Sequence, residues 1–440
     1  MNNPQTSQKS RVNRPNNHLD VIVVGGGQAG LTMSYFLQEA NLSHLVIEKN
    51  TILHGWKHER WDSFALVTPN WQCDLPGLPY DGDDPKGFMT GKQTVAWLER
   101  FAEKVNAPVI EGVKVELVKR DESGLYHVKT SDGDYTANQV VISSGGYHIP
   151  VIPRMAERIP ETIYQMHSAQ YKTASQLPEG AVLVVGSGQS GAQIAEDLHL
   201  EGRKVFLATG DAPRVARFYR GKDVVEWLDD MGYYRLSVSD HPLGANVRNN
   251  TNHYVTGRDG GRDIDLRKFA TEGMELYGLM TDYEDGNLIF KPNLKANLQK
   301  ADDTYNNINA RIDQWIEQQG IATEEGPSVY TPLWELPEER TQLNLFESGI
   351  TSIVWCIGFR PDFGWLDAPV FNGQGHPTHD RGITPQPGLY FLGLPWLHTW
   401  GSGRFSGVKQ DAEYLSGHIQ QYQMASEPNK TQTEDLAVIA

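Results

Sequence analysis

The chain has 440 residues, of which 39% are hydrophobic and 21% charged, and its 55 acidic residues exceed its 39 basic ones to give a formal net charge of −16. At roughly 150 residues per domain, this length corresponds to about three domains' worth of chain, enough for a large hydrophobic core. The acidic balance argues against a nucleic-acid partner, because a negative surface field repels phosphate backbones.

The first twenty residues are polar and contain no apolar stretch of the kind that a secretory signal needs. No later segment reaches the roughly 18 consecutive apolar residues that a membrane span requires. The two cysteines, Cys73 and Cys356, form neither a disulfide framework nor a CxxC motif. We therefore expect a disordered leader over residues 1–18 on a cytoplasmic protein with no membrane partner.

The first predicted unit is a strand, a glycine turn and a helix. Val21–Val24 form an apolar run, the motif GGGQAG follows, and apolar residues then recur at helical spacing. A second strand, His44 to Glu48, lies at the distance that a right-handed crossover requires. This order predicts a βαβ unit of the dinucleotide-binding kind.

The motif GGGQAG places glycines at the G-x-G-x-x-G positions Gly25, Gly27 and Gly30. In such a turn the first glycine permits the tight bend, and the second lets a pyrophosphate contact the backbone. The third lets the helix pack closely on its strand. Gln28 and Ala29 would begin the helix, whose free N–H groups attract phosphate.

An acid ends the second strand of this unit. Glu48 follows Gly25 by 23 residues, and a carboxylate at this position can accept hydrogen bonds from both ribose hydroxyls. We predict that Glu48 binds the cofactor. The alternative is an ordinary glycine-rich turn with a solvated glutamate.

Two features separate this unit from the next. Val113–Lys119 and Leu125–Thr130 alternate in polarity and predict a hairpin arm. Val140–Ser144 and Ser352–Cys356 each run into glycine and then proline, where a chain leaving a sheet changes direction. We interpret these two segments as the crossings between domains.

The same strand, glycine turn and helix recur over residues 182–208, with the motif GSGQSG in the turn and a helix to about residue 200. The chain therefore contains two dinucleotide-binding units. The residues predicted to bind the second nucleotide are Gly186, Gly188, Gln189, Ser190 and Gly191.

The second unit lacks the acid of the first. Thr209 stands where a ribose-binding carboxylate would be, which removes the repulsion that a 2′-phosphate would meet. Arg214, Arg217 and Arg220 follow, and guanidinium groups are preferred phosphate partners. We predict NADPH rather than NADH here. The alternative is that the arginines only solvate a loop.

This arrangement, from Asp20 to about Gln423, resembles the flavoproteins with two dinucleotide-binding domains. Two branches are relevant, the pyridine nucleotide–disulfide reductases and the flavin-containing, class B monooxygenases. A disulfide reductase needs two thiols close in sequence and facing the flavin, whereas Cys73 and Cys356 are 283 positions apart. The resemblance to the monooxygenases implies FAD at the first unit and NADPH at the second.

Further stretches are similar to the monooxygenase branch. HSAQY, which begins at His167, resembles the core of that branch's fingerprint, although Glu161 and Ile163 replace the Phe and Gly of the full pattern. It also lacks the Trp ending of Baeyer–Villiger enzymes, which argues against ketone-to-ester chemistry. The segments 353–366 and 388–415 resemble the return to the flavin domain and its closing motif.

The resemblance assigns two further residues. His167 would fix the hinge between domains or the nicotinamide, and the alternative is a linker histidine that bonds only to backbone groups. Residues 66–77 resemble a loop that places an asparagine near the flavin, and Asn70 is the match. Its predicted role is catalytic, and the alternative is a proline-flanked surface turn.

The remaining motifs have weaker interpretations. Trp396, His398 and Trp400 could line a substrate pocket or pack a core. The run GRDGGRD at 257–263 could hold a phosphate or form turns. His54 and His58 are helical neighbours without a further ligand, so we predict no metal.

The expected fold is α/β, with two Rossmann-like domains and the NADPH domain inserted into a sequence-split FAD domain. A helix is expected over residues 303–319. The predicted division is a leader (1–18), the first part of the FAD domain with its linker (19–174), the NADP domain with a substrate-pocket insertion (175–345), the second part of the FAD domain (346–425) and a flexible tail (426–440).

The resemblance implies an NADPH-dependent FAD monooxygenase. It would insert one oxygen atom of O₂ into a small organic substrate, at nitrogen, sulfur or carbon, through a C4a-(hydro)peroxyflavin. The alternatives are an NADPH-dependent flavoprotein reductase or oxidase that does not oxygenate a substrate, and a flavin- and NADPH-binding sensor without catalysis. Assembly as a homodimer is left open.

Overall fold

The computed structural model describes residues 17–426, and two large β-sheets organise this part of the chain. The α-helices are α1 (Gln28–Glu39), α2 (His54–His58), α3 (Gly91–Val105), α4 (Gln189–Leu200), α5 (Val224–Asp230), α6 (Leu266–Thr271), α7 (Leu294–Gln319) and α8 (Val408–Ser426). The strands are β1 (His18–Val24), β2 (His44–Ile47), β3 (Asp74–Leu75), β4 (Leu78–Pro79), β5 (Val109–Ile110), β6 (Val115–Arg120), β7 (Tyr126–Thr130), β8 (Gly133–Ile142), β9 (Ile149–Pro150), β10 (Tyr164–His167), β11 (Ala181–Val185), β12 (Val205–Ala208), β13 (Phe218–Tyr219), β14 (Lys222–Asp223), β15 (Glu275–Tyr277), β16 (Met280–Glu284), β17 (Asn287–Phe290), β18 (Gln342–Asn344), β19 (Ile350–Trp355), β20 (Phe359–Arg360), β21 (Leu366–Asp367) and β22 (Leu389–Phe391).

The first sheet has the strand order β21-β6-β7-β8-β1-β2-β5, with β22 paired to β8. Strand β1 pairs in parallel with β2 and β8. Strands β6 and β7 form the antiparallel hairpin that the sequence predicts, and β8 pairs with β7 as a third antiparallel strand. Helices α1, α3 and α8 pack on one face, and a second apolar cluster covers the other. Because both faces are buried, the strand at Val21–Val24 is apolar throughout.

The second sheet consists of five parallel strands in the order β10-β19-β11-β12-β15. Apolar clusters lie on both faces, one of them including helix α4. The chain enters this sheet after β8 and returns to the first sheet at β21, which confirms the predicted fold class of a second nucleotide-binding unit inserted into the first.

The division by sheets differs from the predicted domain limits. The predicted NADP domain, 175–345, leaves out β10 and β19, which are two of the five strands of the second sheet. Strand β10 ends at His167, the first residue of HSAQY, and the next three residues form a 3₁₀ turn, so the start of this segment belongs to the second sheet. Its place in the sheet depends on pairing with β19, nearly 190 residues away.

The two crossings between the sheets lie side by side. Strand β9 follows the first crossing and β20 follows the second, and they pair in antiparallel fashion. The Val151 N–H also donates to the Gly358 carbonyl oxygen at 3.0 Å. The two sheets are therefore joined by a paired double linker at the segments where the sequence predicts the crossings.

Helix α7 begins nine residues before its predicted start at residue 303. The backbone N–H groups of Leu294 and Lys295 donate to the two carboxylate oxygens of Glu339, at 3.2 and 2.9 Å. These contacts supply acceptors for N–H groups at the helix start that lack intrahelical partners. A distant glutamate therefore contributes to setting this helix boundary.

The predicted leader and the predicted tail lie largely outside the described residues. Of the predicted leader, residues 1–16 are not described, and β1 already begins at His18. Of the predicted tail, only Ser426 is described, as the last residue of α8. Among residues 17–426, no helix has both the length and the apolar composition needed to cross a bilayer.

Candidate functional site

The first glycine turn connects β1 to α1, and each of its glycines meets a different surrounding. Gly25 has a φ of +111°, and a Cβ there would lie 2.8 Å from the Ser143 carbonyl oxygen. A Cβ on Gly30 would lie 1.9 Å from the Gly25 carbonyl oxygen. A Cβ on Gly27 would meet no atom within 4 Å. The outer glycines are required for packing, whereas the middle one leaves open space at the helix start, which fits a pyrophosphate group.

The first residues of α1 contact two distant loops. The Gln28 amide donates to the Gly403 carbonyl oxygen at 3.2 Å and accepts from the Trp56 indole at 3.0 Å. Ala29 is buried, and a Cβ on Gly393 would lie 2.8 Å from the Ala29 Cβ. The loop that precedes α8 therefore packs against the first turn, as the resemblance to the closing flavin motif implies.

Glu48 lies at the end of β2 beside this turn. Its carboxylate accepts the Gly26 N–H at 2.7 Å through Oε2 and the Asn50 N–H at 2.8 Å through Oε1. An ionised carboxylate has about four acceptor positions. Two of them therefore remain for a ligand hydroxyl, and the carboxylate is already oriented next to the open space at Gly27.

The second turn repeats the first. Gly186 has a φ of +103°, with a Cβ position 2.6 Å from the Cys356 carbonyl oxygen, and a Cβ on Gly191 would lie 1.8 Å from the Gly186 carbonyl oxygen. A Cβ on Gly188 would meet no atom within 4 Å. Ser190 is exposed, and Gln189 donates to the Val255 carbonyl oxygen at 2.6 Å. The N-terminus of α4 therefore offers a second open position suited to a pyrophosphate.

Thr209 faces the interior rather than this open position. Its hydroxyl donates to the Tyr277 carbonyl oxygen at 2.9 Å and accepts from the Asn297 amide at 3.1 Å. The next residue, Gly210, donates its backbone N–H to the Ser187 hydroxyl oxygen at 3.0 Å. Position 209 therefore contributes no carboxylate at the end of β12, and its own side chain is used internally.

Arg214 is enclosed by acidic and aromatic side chains. Its Nε lies 3.0 Å from a carboxylate oxygen of Asp302, and Nη1 lies 3.7 Å from Asp265. The guanidinium carbon is 3.9 Å from the ring centre of Tyr330 and 4.4 Å from that of Tyr305. The side chain is 3% exposed, so its charge is balanced inside the protein.

Arg217 and Arg220 are also paired. Arg217 binds the Asp223 carboxylate and donates at 2.8 Å to the Val67 carbonyl oxygen, which belongs to the flavin-side loop. Arg220 lies 2.9 Å from an Asp313 carboxylate oxygen. All three arginines form ion pairs within residues 175–345, the inserted segment, and Arg217 also joins this segment to the first unit. Their assignment to a 2′-phosphate therefore rests on the sequence pattern alone.

His167 lies at the double linker. Its Nδ1 accepts the Ala169 N–H at 3.2 Å, so the proton is on Nε2, which donates to the Gly358 carbonyl oxygen at 3.0 Å. The ring packs edge-on against Phe359, with 4.7 Å between ring centres. Burial lowers the pKa of His167, which favours this neutral form. The histidine thus ties β10 to the second linker.

Asn70 is 3% exposed and lies in a short 3₁₀ turn. Its amide nitrogen donates to the Asp84 carbonyl oxygen at 2.8 Å, and its amide oxygen accepts the Met89 N–H at 2.8 Å. These contacts fix the segment from Asp84 to Met89. The amide nitrogen and the amide oxygen of Asn70 both have partners in the protein, so this side chain stabilises the loop.

The GRDGGRD run supplies contacts that the sequence analysis did not find. Arg258 donates at 2.7 Å to Asp197 on α4, and the same carboxylate accepts the Tyr171 hydroxyl at 2.6 Å and the Ser63 hydroxyl. Arg262 lies 2.9 Å from Glu196, the adjacent residue of α4. The run therefore binds two adjacent carboxylates of α4. The sequence signal that could have indicated this is the pair of adjacent acids, Glu196 and Asp197, in the middle of α4.

Glu196 gives the site a pH-dependent element. Burial raises its pKa to about 7, although Arg262 and Arg258 oppose this rise. An unfolded chain releases this proton near pH 4.3, roughly. Between about pH 4.3 and 7 the folded protein holds a proton that the unfolded chain has lost, so stability falls as pH rises through this window, by about 4 kcal/mol at most.

We therefore expect the melting temperature of Glu196→Gln, relative to the parent protein, to rise from pH 5 to about pH 7 and to level off by pH 8, because the amide does not titrate whereas Glu196 does. Differential scanning calorimetry at fixed ionic strength measures this difference. Glu201→Gln, at an exposed position directly after α4, is the matched control and should follow the parent curve. Parallel curves for Glu196→Gln and the parent would contradict the shifted titration.

Two further sequence predictions concern metals and pocket aromatics. Within residues 17–426, no group of three or more His, Cys, Asp or Glu side chains is arranged to hold a metal ion. Trp396 is buried, with its ring 5.3 Å from that of His241, whereas Trp400 is half-buried and its ring centre lies 4.6 Å from that of Tyr234. Of the two tryptophans, Trp400 is therefore the more exposed.

Comparison with known proteins agrees with this geometry. The family model described as pyridine nucleotide-disulphide oxidoreductase matches residues 22–243. The uncharacterized oxidoreductase CzcO-like of Geobacillus kaustophilus is 32% identical over 405 residues, covering 91% of this chain and 98% of that protein. The indole-3-pyruvate monooxygenase YUCCA6 of Arabidopsis thaliana is 30% identical over 203 residues, covering 44% of this chain and 48% of that protein. The solved structure of a flavin-containing monooxygenase from Stenotrophomonas maltophilia shares the fold, with a TM-score of 0.56 at 20% identity over 92% of this chain and 99% of that one.

Proposed function

The chain belongs to the pyridine nucleotide-disulphide oxidoreductase family, and we propose that within it the protein is an NADPH-dependent FAD monooxygenase acting on a small organic substrate. The observation that carries this proposal is the pair of glycine turns on two sheets, each with open space at its middle glycine, in a chain without a dithiol. Relatives named as indole-3-pyruvate monooxygenases support oxygenation as the reaction.

The cysteines argue against the other chemistry of the family. Cys73 and Cys356 are both buried, in separate apolar clusters on different sheets. Burial raises the pKa of Cys73 to about 12 and raises that of Cys356 as well. Neither thiol is therefore prepared to act as a thiolate, and the two do not form a redox pair.

The residues of the first turn fit FAD. Gly25 and Gly30 set the close packing, Gly27 leaves room for the pyrophosphate at the start of α1, and the Glu48 carboxylate would accept from the ribose hydroxyls. When bound, FAD accepts a hydride from NADPH and reacts with O₂, and this chemistry belongs to the cofactor.

The second turn fits NADPH in the same way. Gly188 leaves room for the pyrophosphate at the start of α4, and the lack of an acid at Thr209 permits the 2′-phosphate. His167 would hold the double linker so that the second sheet keeps its position beside the first. Asn70 would brace the loop that borders the flavin, which helps to exclude water from the site.

The test is a coupling measurement on the FAD-loaded enzyme. NADPH consumption, H₂O₂ release and incorporation of ¹⁸O from ¹⁸O₂ would be followed with a panel of amines, thioethers and carbonyl compounds. We expect one class to accelerate NADPH consumption, to lower H₂O₂ release and to gain one labelled oxygen atom. Stoichiometric H₂O₂ with every compound would identify an oxidase instead. No bleaching of the flavin by NADPH would leave a sensor role.

A further inference from the structure

Two arginines beside the flavin-side loops lack the carboxylate partners that other buried arginines have. Among residues 17–426, no carboxylate lies within ion-pair distance of the Arg60 or Arg404 guanidinium, whereas Arg214, Arg217 and Arg267 all have one. Both side chains are half-buried. A partly desolvated cation without a counter-charge is unfavourable, and an anionic ligand would correct it.

Arg60 has few protein contacts of its own. Nη1 donates to the Glu59 carbonyl oxygen at 2.9 Å, and the guanidinium carbon lies 5.0 Å from the Trp56 ring centre and 5.7 Å from that of Phe64. Burial lowers the pKa of Arg60, and the charge on Glu59 and the Tyr147 hydroxyl offset this only in part. Most of its five donor hydrogens therefore remain available.

Arg404 reaches from the closing loop toward the insertion. It donates to the Trp400 carbonyl oxygen and, at 3.1 Å, to the amide oxygen of Asn252, and its guanidinium carbon lies 4.0 Å from the Trp400 ring centre. Burial lowers its pKa too, against tyrosines that include Tyr147 and Tyr234, and no carboxylate contributes.

The two arginines share one aromatic surrounding. Tyr147, which is 65% exposed, lies near enough to act on both charges. Trp56, beneath Arg60, stacks on Phe405, the neighbour of Arg404, with ring centres 5.1 Å apart. We call Arg60 and Arg404 the cationic pair, and Tyr147 lies beside both. They lie where the flavin-side loops meet the insertion.

We propose that the substrate is an aromatic carboxylate, whose carboxyl group binds Arg60 and Arg404 and whose ring packs among the neighbouring aromatic side chains. Guanidinium groups recognise a carboxylate through paired hydrogen bonds, and aromatic rings pack in offset or edge-on arrangements. The start of each nucleotide-binding helix already provides a place for a coenzyme pyrophosphate, so neither pyrophosphate requires this pair. This inference rests on the proposed function.

The test measures binding to the oxidised, FAD-loaded enzyme, without turnover. Phenylacetate and indole-3-acetate are each titrated against the matching neutral amide, with flavin absorbance and calorimetry as readouts. We expect at least one acid to bind about 10-fold or more tightly than its amide, because a charge-assisted hydrogen bond is worth about 1.5–3 kcal/mol. Equal affinity of acid and amide for both pairs, or no binding of either acid, would overturn the proposal.

Variants then show which residues cause the preference for the acid over its amide. Arg60→Gln and Arg404→Gln should each remove the preference for the acid, whereas Arg404→Lys should retain part of it and Arg154→Gln, at an exposed position, all of it. FAD content and the Kd for NADP⁺ should stay within about twofold in every variant. A loss of FAD or NADP⁺ affinity in place of acid affinity would assign the pair to a coenzyme phosphate and overturn the proposal. Acid binding without any oxygenated product would instead contradict only the proposed function.

Discussion

A Gly188→Ala enzyme is expected to fold with its FAD bound and to lose most of its affinity for NADPH. The added methyl group would meet no protein atom within 4 Å, and the backbone at Gly188 (φ −65°, ψ −177°) is one that alanine adopts without strain. The same space is where a pyrophosphate would approach the first N–H groups of α4. Losing two such charge-assisted bonds corresponds to about 3 kcal/mol, or about 100-fold in Kd.

Calorimetric titration with NADP⁺ and the ratio of flavin to protein absorbance measure the two expected results. Gly417→Ala, in open space on α8, is the matched control and should leave both unchanged. Gly191→Ala tests packing instead, since its methyl carbon would lie 1.8 Å from the Gly186 carbonyl oxygen, and that variant should be less stable. A Gly188→Ala enzyme that binds NADP⁺ within about threefold of the parent would contradict the assigned pyrophosphate position.

The glycine turns could be predicted from sequence because every determinant of such a turn is local. Strand β1, the turn and α1 follow one another within about twenty residues, and the same is true of β11 and α4. The two crossings could be predicted for a similar reason, since glycine and proline mark a change of direction, whereas the pairing of β9 with β20 could not. Local chemistry thus predicts the fold class and the two open positions at Gly27 and Gly188.

The partners of charged side chains could not be predicted in this way. Whether the Arg214 guanidinium meets a phosphate or a carboxylate depends on Asp265 and Asp302, which lie 51 and 88 positions further along the chain. The sequence shows only that basic residues follow β12. Similarly, the GRDGGRD run reads as turns, and its ion pairs with α4 exist only in the folded chain.

The ion pairs around Asp302 lead to the largest stability change that we expect. The Asp302 side chain is 6% exposed and lies 3.0 Å from Arg214 Nε and 2.8 Å from Arg267 Nε, and both arginine side chains are 3% exposed. Asp302→Ala would leave two buried guanidinium groups with a single carboxylate within ion-pair distance among residues 17–426, Asp265, at 3.7 Å from Arg214. Removing one member of a buried ion pair costs about 3–5 kcal/mol. We expect a loss of this size in the free energy of unfolding, measured from the urea dependence of tryptophan fluorescence.

Asp303→Ala is the matched control, since the adjacent side chain is exposed and accepts only from Gln299 on the same helix, at 2.8 Å. Its effect should stay within about 0.5 kcal/mol, as for other surface positions.

The same variants decide between the two roles of Arg214. If Arg214 serves the insertion, Asp302→Ala lowers stability while the preference for NADPH over NADH is retained at temperatures where the protein is folded. If Arg214 instead binds the 2′-phosphate, freeing it from Asp302 should strengthen NADPH binding, because the carboxylate that competes for it has gone. A stability loss below about 1 kcal/mol together with tighter NADPH binding would therefore favour the role predicted from sequence over the structural one.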